Sequence, residues 1–206
     1  MRYFIELSYD GSPFVGWQRQ PKGDSVQSCL EDAFKTLLQK PISVVGAGRT
    51  DAGVHARQLF AHVDLDDQVD QNLKFRLNKL LPKEIAVNSI LAVTDDAHAR
   101  FDAKGRRYSY HITTQKDPFL KKRSYYFSKT LDIELMNQAT TDMLDHDDFK
   151  CFSKSRTDVK TYLCDIQEAY WEQNGSDLVF FIQANRFLRN MVRAIVGTLI
   201  EVGLKK

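Results

Sequence analysis

Segments with strand periodicity and segments with helix periodicity alternate along this chain. Near the start, Tyr3, Ile5, Leu7 and Tyr9 stand at every second position, which is typical of a half-buried strand. Between 25 and 39 the apolar residues recur at helical spacing, after an Asp-Ser pair of which either residue can cap a helix. The first half is predicted to contain helices at 25–39 and 71–81 and strands at 3–9, 42–46, 58–64 and 86–93.

The second half of the chain also alternates between helix and strand periodicity. Helices are predicted at 132–144 and 186–200, and strands at 106–114, 123–128, 162–171 and 177–184. The last two strands are joined by Gln-Asn-Gly-Ser, which predicts a hairpin. Two helices and about four strands in each half predict two α+β units, each a sheet with helices on one face. The charge balance changes near residues 95–104, so we place the units at 1–103 and 104–206.

Composition narrows the class of protein. The chain has 206 residues, of which 43% are hydrophobic, and this is enough apolar material for a folded core. Its three cysteines form no CxxC pair, which favours reduced thiols in a cytoplasmic protein over a disulfide framework or a zinc site. The N-terminus has the pattern of a strand and not of a signal peptide, and no apolar run reaches the roughly 20 residues of a membrane span.

Positive charge is concentrated in one segment, although the net charge is only +2. Residues 100–123 hold eight basic and two acidic side chains, and the run ends in Lys121, Lys122 and Arg123. Such a surplus is typical of a surface that binds RNA phosphates, and it is also found on ordinary solvated surfaces. Charge alone leaves both interpretations open.

The stretch GAGRTDAGVHAR, residues 46–57, places a single carboxylate, Asp51, in a loop with three glycines. Asp and Gly are common turn residues, so the pattern is first of all that of a turn. Glycines also permit close approach of a ligand, and Arg49 and His55 add hydrogen-bond donors. A carboxylate so placed can act as base, nucleophile or metal ligand. Asp51, His55 and His62 lack a recognised ligand spacing, so we predict no metal.

The same stretch resembles the catalytic motif of the tRNA pseudouridine synthase A family. Five further blocks resemble that family in the same order, and together they span nearly the whole chain. They are YDGSPFVGWQRQ (9–20), SVQSCLEDA (25–33), HARFDAKGRRYSYHI (98–112), DDFKCFSK (147–154) and NRFLRNMVRAIVGTLIEVG (185–203). The resemblance implies two ferredoxin-like (RRM-like) halves whose sheets join around a central cleft.

The resemblance also implies an activity, which is the isomerisation of uridine to pseudouridine at positions 38–40 of the tRNA anticodon arm. The reaction breaks the C1′–N1 glycosidic bond and rejoins the uracil through C5, and it needs one carboxylate and no cofactor. Asp51 matches that carboxylate. It either attacks the sugar or base covalently or removes a ribose proton to give a glycal-like intermediate. The target base has to be extruded from the RNA to be reached.

Further roles carry over residue by residue. Arg49 resembles the arginine that helps to hold the flipped nucleotide out, Tyr108 resembles the tyrosine that stacks on the target base, and Arg193 resembles the arginine that pairs with the aspartate. On a helix over 186–200, Arg186, Arg189 and Arg193 share a face with Val196 and Ile200, so we expect Arg193 to be partly buried. Arg186 and Arg189 then either bind RNA or form a solvated stripe.

The chain departs from the family pattern in places. Gln58-Leu59 replaces a usual Gly-Gln, and Asp147–Phe152 differs from the usual block. Family members usually continue some tens of residues beyond Gly203 with a final strand, so we expect the second unit to be incomplete at its end. The family further implies a homodimer. Two alternatives stay open: a synthase that acts on another RNA or tRNA position, and a catalytically silent RNA-binding protein of the same fold.

Overall fold

A computed structural model describes residues 1–66, 70, 72–155 and 159–206. Contacts between residues divide the chain into two compact units, Met1–Ala103 and Lys104–Lys206. Each unit contains one four-stranded sheet and two α-helices, so the prediction of a two-unit α+β fold is confirmed.

The first unit follows the order strand, helix, strand, strand, helix, strand. Its elements are β1 (Arg2–Tyr9), α1 (Val26–Leu38), β2 (Val45–Gly46), β3 (Ala56–Asp64), α2 (Leu73–Leu80) and β4 (Ile85–Val93). The sheet order is β2-β3-β1-β4 and every pairing is antiparallel. This is the ferredoxin-like arrangement, in which the first and third strands lie at the centre.

The core of the first unit forms because one side of β1 is apolar. Tyr3, Ile5, Leu7 and Tyr9 are all buried, and they belong to the same hydrophobic cluster as the inward side of α1. Ser25 caps α1, since its hydroxyl accepts the Ser28 N–H while the Ser28 hydroxyl accepts the Ser25 N–H. The segment between β1 and α1 is thereby tied to the core at both ends.

The second unit contains β5 (Arg106–Thr113), β6 (Tyr125–Tyr126), α3 (Ile133–Met143), β7 (Ile166–Asn174), β8 (Asp177–Ala184) and α4 (Met191–Gly203). Short 3-10 helices lie at Pro118–Leu120 and Lys150–Phe152. The sheet order is β6-β5-β8-β7, with β6 parallel to β5 and the other pairings antiparallel. In the first unit β4 is the edge strand beside β1. In the second unit the two-residue strand β6 takes the equivalent position beside β5.

Four of the predicted elements differ most from the observed ones. The strands predicted at 42–46 and 123–128 shorten to β2 and β6, and the strand predicted to begin at 162 begins at Ile166. Residue 71, at the start of the second predicted helix, lies outside the described residues. The last helix begins at Met191 instead of 186, because Asn190 adopts a left-handed conformation (φ 68°) that a helix cannot contain. No helix in the described part of the chain is long and apolar enough to cross a membrane.

A buried histidine makes the stability of the first unit depend on pH. His62 of β3 is 4% exposed, and its Nδ1 accepts the Ala99 N–H at 3.2 Å. Burial lowers the pKa of His62 from its usual value of about 6.5, and the charges of Arg2 and His98 lower it further, while Asp64 opposes them. The unfolded chain therefore binds more protons at this position than the folded chain as the pH falls below 6.5.

We expect the free energy of unfolding to fall from pH 7 to pH 5.5 in wild type and to fall less steeply in His62→Asn, which has no titrating ring. Urea unfolding at several pH values measures both slopes. His146→Asn, a change at an exposed histidine, is the control. Parallel slopes in wild type and His62→Asn would contradict the assignment.

Candidate active site

The glycine loop, residues 46–57, runs from the last residue of β2 into the start of β3 and carries Asp51 at its exposed tip. A tight turn follows the aspartate, in which the Val54 N–H donates to the Asp51 carbonyl oxygen at 3.2 Å. Gly53 lies at the third position of this turn with φ 77°, a conformation that favours glycine. The Asp51 carboxylate thus projects from a backbone with defined geometry.

The segment between β1 and α1 packs against the first half of the loop. The backbone N–H of Trp17 donates to the Thr50 carbonyl oxygen at 3.0 Å. Gly16 has φ 114°, and a Cβ on it would lie 2.6 Å from that same oxygen. The residue before Asp51 is therefore held by backbone contacts that leave no room for a side chain at position 16.

A second set of contacts holds the end of the loop. The Nδ1 atom of His55 lies 3.0 Å from the Oδ1 atom of Asp10 and 3.2 Å from the backbone nitrogen of Gly11. The two contacts are alternatives. Nδ1 donates to Asp10 when it carries a hydrogen, and it accepts from the Gly11 N–H when it does not. In either state His55 is joined to the end of β1.

The three glycines of the loop do different things. We predicted that they permit close approach of a ligand. Gly46 instead makes room for Trp17, since a Cβ there would lie 2.5 Å from the indole ring. Gly53 serves the turn through its positive φ, and both Gly48 and Gly53 have open space around their Cβ positions.

Arg49 and Asp51 are both exposed side chains of this loop. Among the described residues of the first unit, no cation lies within ion-pair distance of the Asp51 carboxylate. Beside the loop, a shallow groove of about 480 Å³ is lined in part by residues of both charges, namely Asp10, Arg57, Lys83 and Glu84. The aspartate and the groove are both open to a large substrate.

Tyr108 and Arg193, predicted as site residues, both belong to the second unit. Tyr108 lies on β5, half-buried, with its ring edge-on to Phe187 at a centroid distance of 5.1 Å. Arg193 lies on α4, close enough to Tyr110 for its charge to act on that residue. Burial raises the pKa of Tyr110, and the positive charge of Arg193 opposes this rise. One aromatic pair and one guanidinium are thus presented by neighbouring elements of one unit.

Two predictions about the arginines are wrong. Arg193 is exposed, not partly buried, and no carboxylate in the described part of the second unit forms an ion pair with it. Arg186 and Arg189 do not share its helical face, because both precede α4 and lie in the connection from β8. The left-handed Asn190 is the cause of the second error, since the face was drawn on a helix that starts five residues too early.

The basic run Lys121, Lys122 and Arg123 follows the 3-10 helix Pro118–Leu120 and is exposed. Phe119, next to it, is 89% exposed. Cations beside an exposed aromatic ring are a combination that single-stranded nucleic acid binds. No group of three or more His, Cys, Asp or Glu side chains that could hold a metal ion occurs within the described residues.

Tyr9, Asp10 and Trp17 position the loop, a role that the sequence patterns did not indicate. The alternation of β1 marked Tyr9 only as a core residue. One signal was available: a buried tyrosine needs a hydrogen-bond partner for its hydroxyl. Nothing in the local pattern, however, indicates that the partner lies 41 residues away in the glycine loop.

A family model described as tRNA pseudouridine synthase matches residues 7–102 and 143–206. The chain is 53% identical over 204 residues to a tRNA pseudouridine synthase A from Parabacteroides distasonis, with 98% of this chain and 81% of that protein covered. It is 52% identical over 209 residues to a tRNA pseudouridine synthase A from Bacteroides thetaiotaomicron, with 100% and 78% covered. It is 36% identical to a tRNA pseudouridine synthase A 2 from Clostridium perfringens, with 98% and 84% covered.

A methyl group added at Gly16 should disturb the loop. We expect Gly16→Ala to lower the free energy of unfolding by about 1–3 kcal/mol, because it combines a strained φ with overlap of the Thr50 carbonyl. Gly48→Ala, whose Cβ meets nothing within 4 Å, should change it by less than about 0.5 kcal/mol. Urea unfolding measures both, and equal effects would argue against this packing.

Proposed function

Because this chain belongs to the tRNA pseudouridine synthase family of isomerases, we propose that it converts uridine to pseudouridine in tRNA with Asp51 as the catalytic carboxylate. The proposal depends on the geometry of the glycine loop. Asp51 is exposed, while the backbone on both sides of it is fixed by contacts to the end of β1 and to Trp17. An accessible carboxylate on a fixed backbone is what a reaction on a large substrate requires.

The reaction needs little besides this group. The C1′–N1 bond of uridine breaks, a C1′–C5 bond forms, C5 loses its hydrogen to solvent and N1 takes up a proton. No electron is gained or lost, so one carboxylate is sufficient to start it. Asp51 acts either as the nucleophile that attacks the sugar or base or as the base that removes a ribose proton.

Arg49, Tyr108 and Arg193 keep supporting roles in the proposal. Arg49 is exposed two residues before Asp51 and is free to contact the RNA backbone at the reacting nucleotide. Tyr108 presents a half-buried ring braced by Phe187, which suits stacking on an extruded base. Arg193 is exposed on α4, where its guanidinium is accessible to the substrate.

The proposed substrate is the tRNA anticodon arm, with positions 38–40 as the targets. The exposed run Lys121, Lys122 and Arg123 and the arginines 186 and 189 supply positive charge for its phosphates. The proposal includes a homodimer, the state that the resemblance to the family implies. It also includes a cytoplasmic location, where thiols such as those of the three free cysteines stay reduced.

Replacing Asp51 separates chemistry from binding. We expect Asp51→Asn to lower turnover by at least about 100-fold, because it removes the group that acts on the nucleotide. Affinity for tRNA should change little, since phosphate contacts dominate affinity and a carboxylate makes none. Release of tritium from C5-labelled uridine measures turnover, and filter binding measures affinity.

Asp145→Asn, a change at an exposed aspartate of the second unit, is the matched control and should leave both properties unchanged. Full turnover by Asp51→Asn would refute the catalytic role. A wild-type protein that binds tRNA but releases no tritium would be the silent RNA-binding protein of the alternative reading.

The basic run can be tested through its salt dependence. Changing Lys121, Lys122 and Arg123 together to Gln should weaken binding to all tRNAs alike and reduce the slope of log K against log salt by roughly 2–3. The charge-matched control changes Lys22, Lys35 and Lys74, which are exposed in the first unit. If the two triple variants have the same slope, the run is an ordinary solvated surface.

A further inference from the structure

Tyr9 links the core of the first unit directly to the residue before Asp51. It is the last residue of β1, it is 5% exposed, and it lies on the same buried side as Tyr3, Ile5 and Leu7. Its hydroxyl oxygen lies 2.9 Å from the Thr50 Oγ1 atom. Its ring contacts that of Trp17, with 6.3 Å between the centroids.

Thr50 is therefore held at two points. Its carbonyl oxygen accepts the Trp17 N–H, and its hydroxyl is hydrogen bonded to Tyr9. The first contact alone leaves the Thr50–Asp51 peptide free to pivot about the carbonyl oxygen, whereas two separate contacts on one residue fix its orientation. Tyr9 supplies the second contact from a rigid strand.

The carboxylate of Asp51 depends on this orientation, because it is exposed and has no cationic partner in the described part of its own unit. Its direction is set by the backbone that carries it. We propose that Tyr9 is a positioning residue for Asp51, acting through its hydrogen bond to Thr50. The inference rests on the proposed function, since it takes Asp51 as the catalytic group.

Positioning of this kind affects the rate more than the binding. A catalytic group has to be held within a fraction of an ångström of its working position, and displacements of about 1 Å are costly in rate. The tRNA is held mainly through its phosphates, which Tyr9 is too buried to reach. Loss of the Tyr9 hydroxyl should thus lower kcat and leave KM unchanged.

The test compares variants that remove one hydroxyl each. Tyr9→Phe and Thr50→Val should each lower kcat by about tenfold with KM for tRNA within about twofold of wild type. The double variant should be no slower than either single one, because both remove the same hydrogen bond. Thr50→Ser keeps the hydroxyl and should keep most of the activity.

Tyr3→Phe is the matched control, since it makes the same change on the same buried side of β1 at the strand's other end. The proposal is overturned if Tyr9→Phe matches Tyr3→Phe in kcat. It is also overturned if the loss in kcat only follows the fraction of unfolded protein measured by urea unfolding, or if Thr50→Ser is as slow as Thr50→Val.

Asp51→Asn, assayed beside these variants, separates this inference from the proposed function. If Asp51→Asn retains turnover, the proposed function fails and the positioning role fails with it. If Asp51→Asn is inactive while Tyr9→Phe turns over like wild type, Asp51 remains the catalytic group and only the positioning role is refuted.

Discussion

The packing of Gly16 and Trp17 against Thr50 is the contact on which the candidate active-site loop depends. The backbone N–H of Trp17 and the Thr50 carbonyl oxygen are 3.0 Å apart. A Cβ atom on Gly16 would lie 2.6 Å from the same oxygen and would clash with it. The carbonyls of Gly16 and Trp17 also accept the first two N–H groups of α1. One short segment thus caps a helix on one side and fixes the glycine loop on the other.

A single carboxylate on a fixed backbone is suited to a reaction that needs one functional group. A metal or nucleotide site needs several ligands converging from different elements, whereas uridine isomerisation by this scheme needs a carboxylate at a defined place. In the first unit, backbone contacts accordingly define the geometry of the loop around Asp51. The second unit contributes an aromatic pair, Tyr108 with Phe187, and exposed positive charge.

The sequence predicted the architecture well wherever periodicity was strong. The alternation of β1 and the apolar stripe of α1 were placed within a residue or two, because burial of one face dictates the pattern. The start of α4 was misplaced, since the left-handed conformation of Asn190 leaves no trace in hydrophobic spacing. The exposure of Arg193 was a separate error. The Tyr9–Thr50 bond joins positions 41 residues apart, which local patterns do not connect.

Mapping of pseudouridine at nucleotide resolution tests the central claim most directly. Unmodified tRNA transcripts would be incubated with the protein alone in monovalent salt and EDTA, without nucleotide or reductant. We expect conversion of uridine at positions 38–40 and nowhere else. Unchanged transcripts, or conversion that requires an added cofactor, would contradict the account of a cofactor-free synthase built around Asp51.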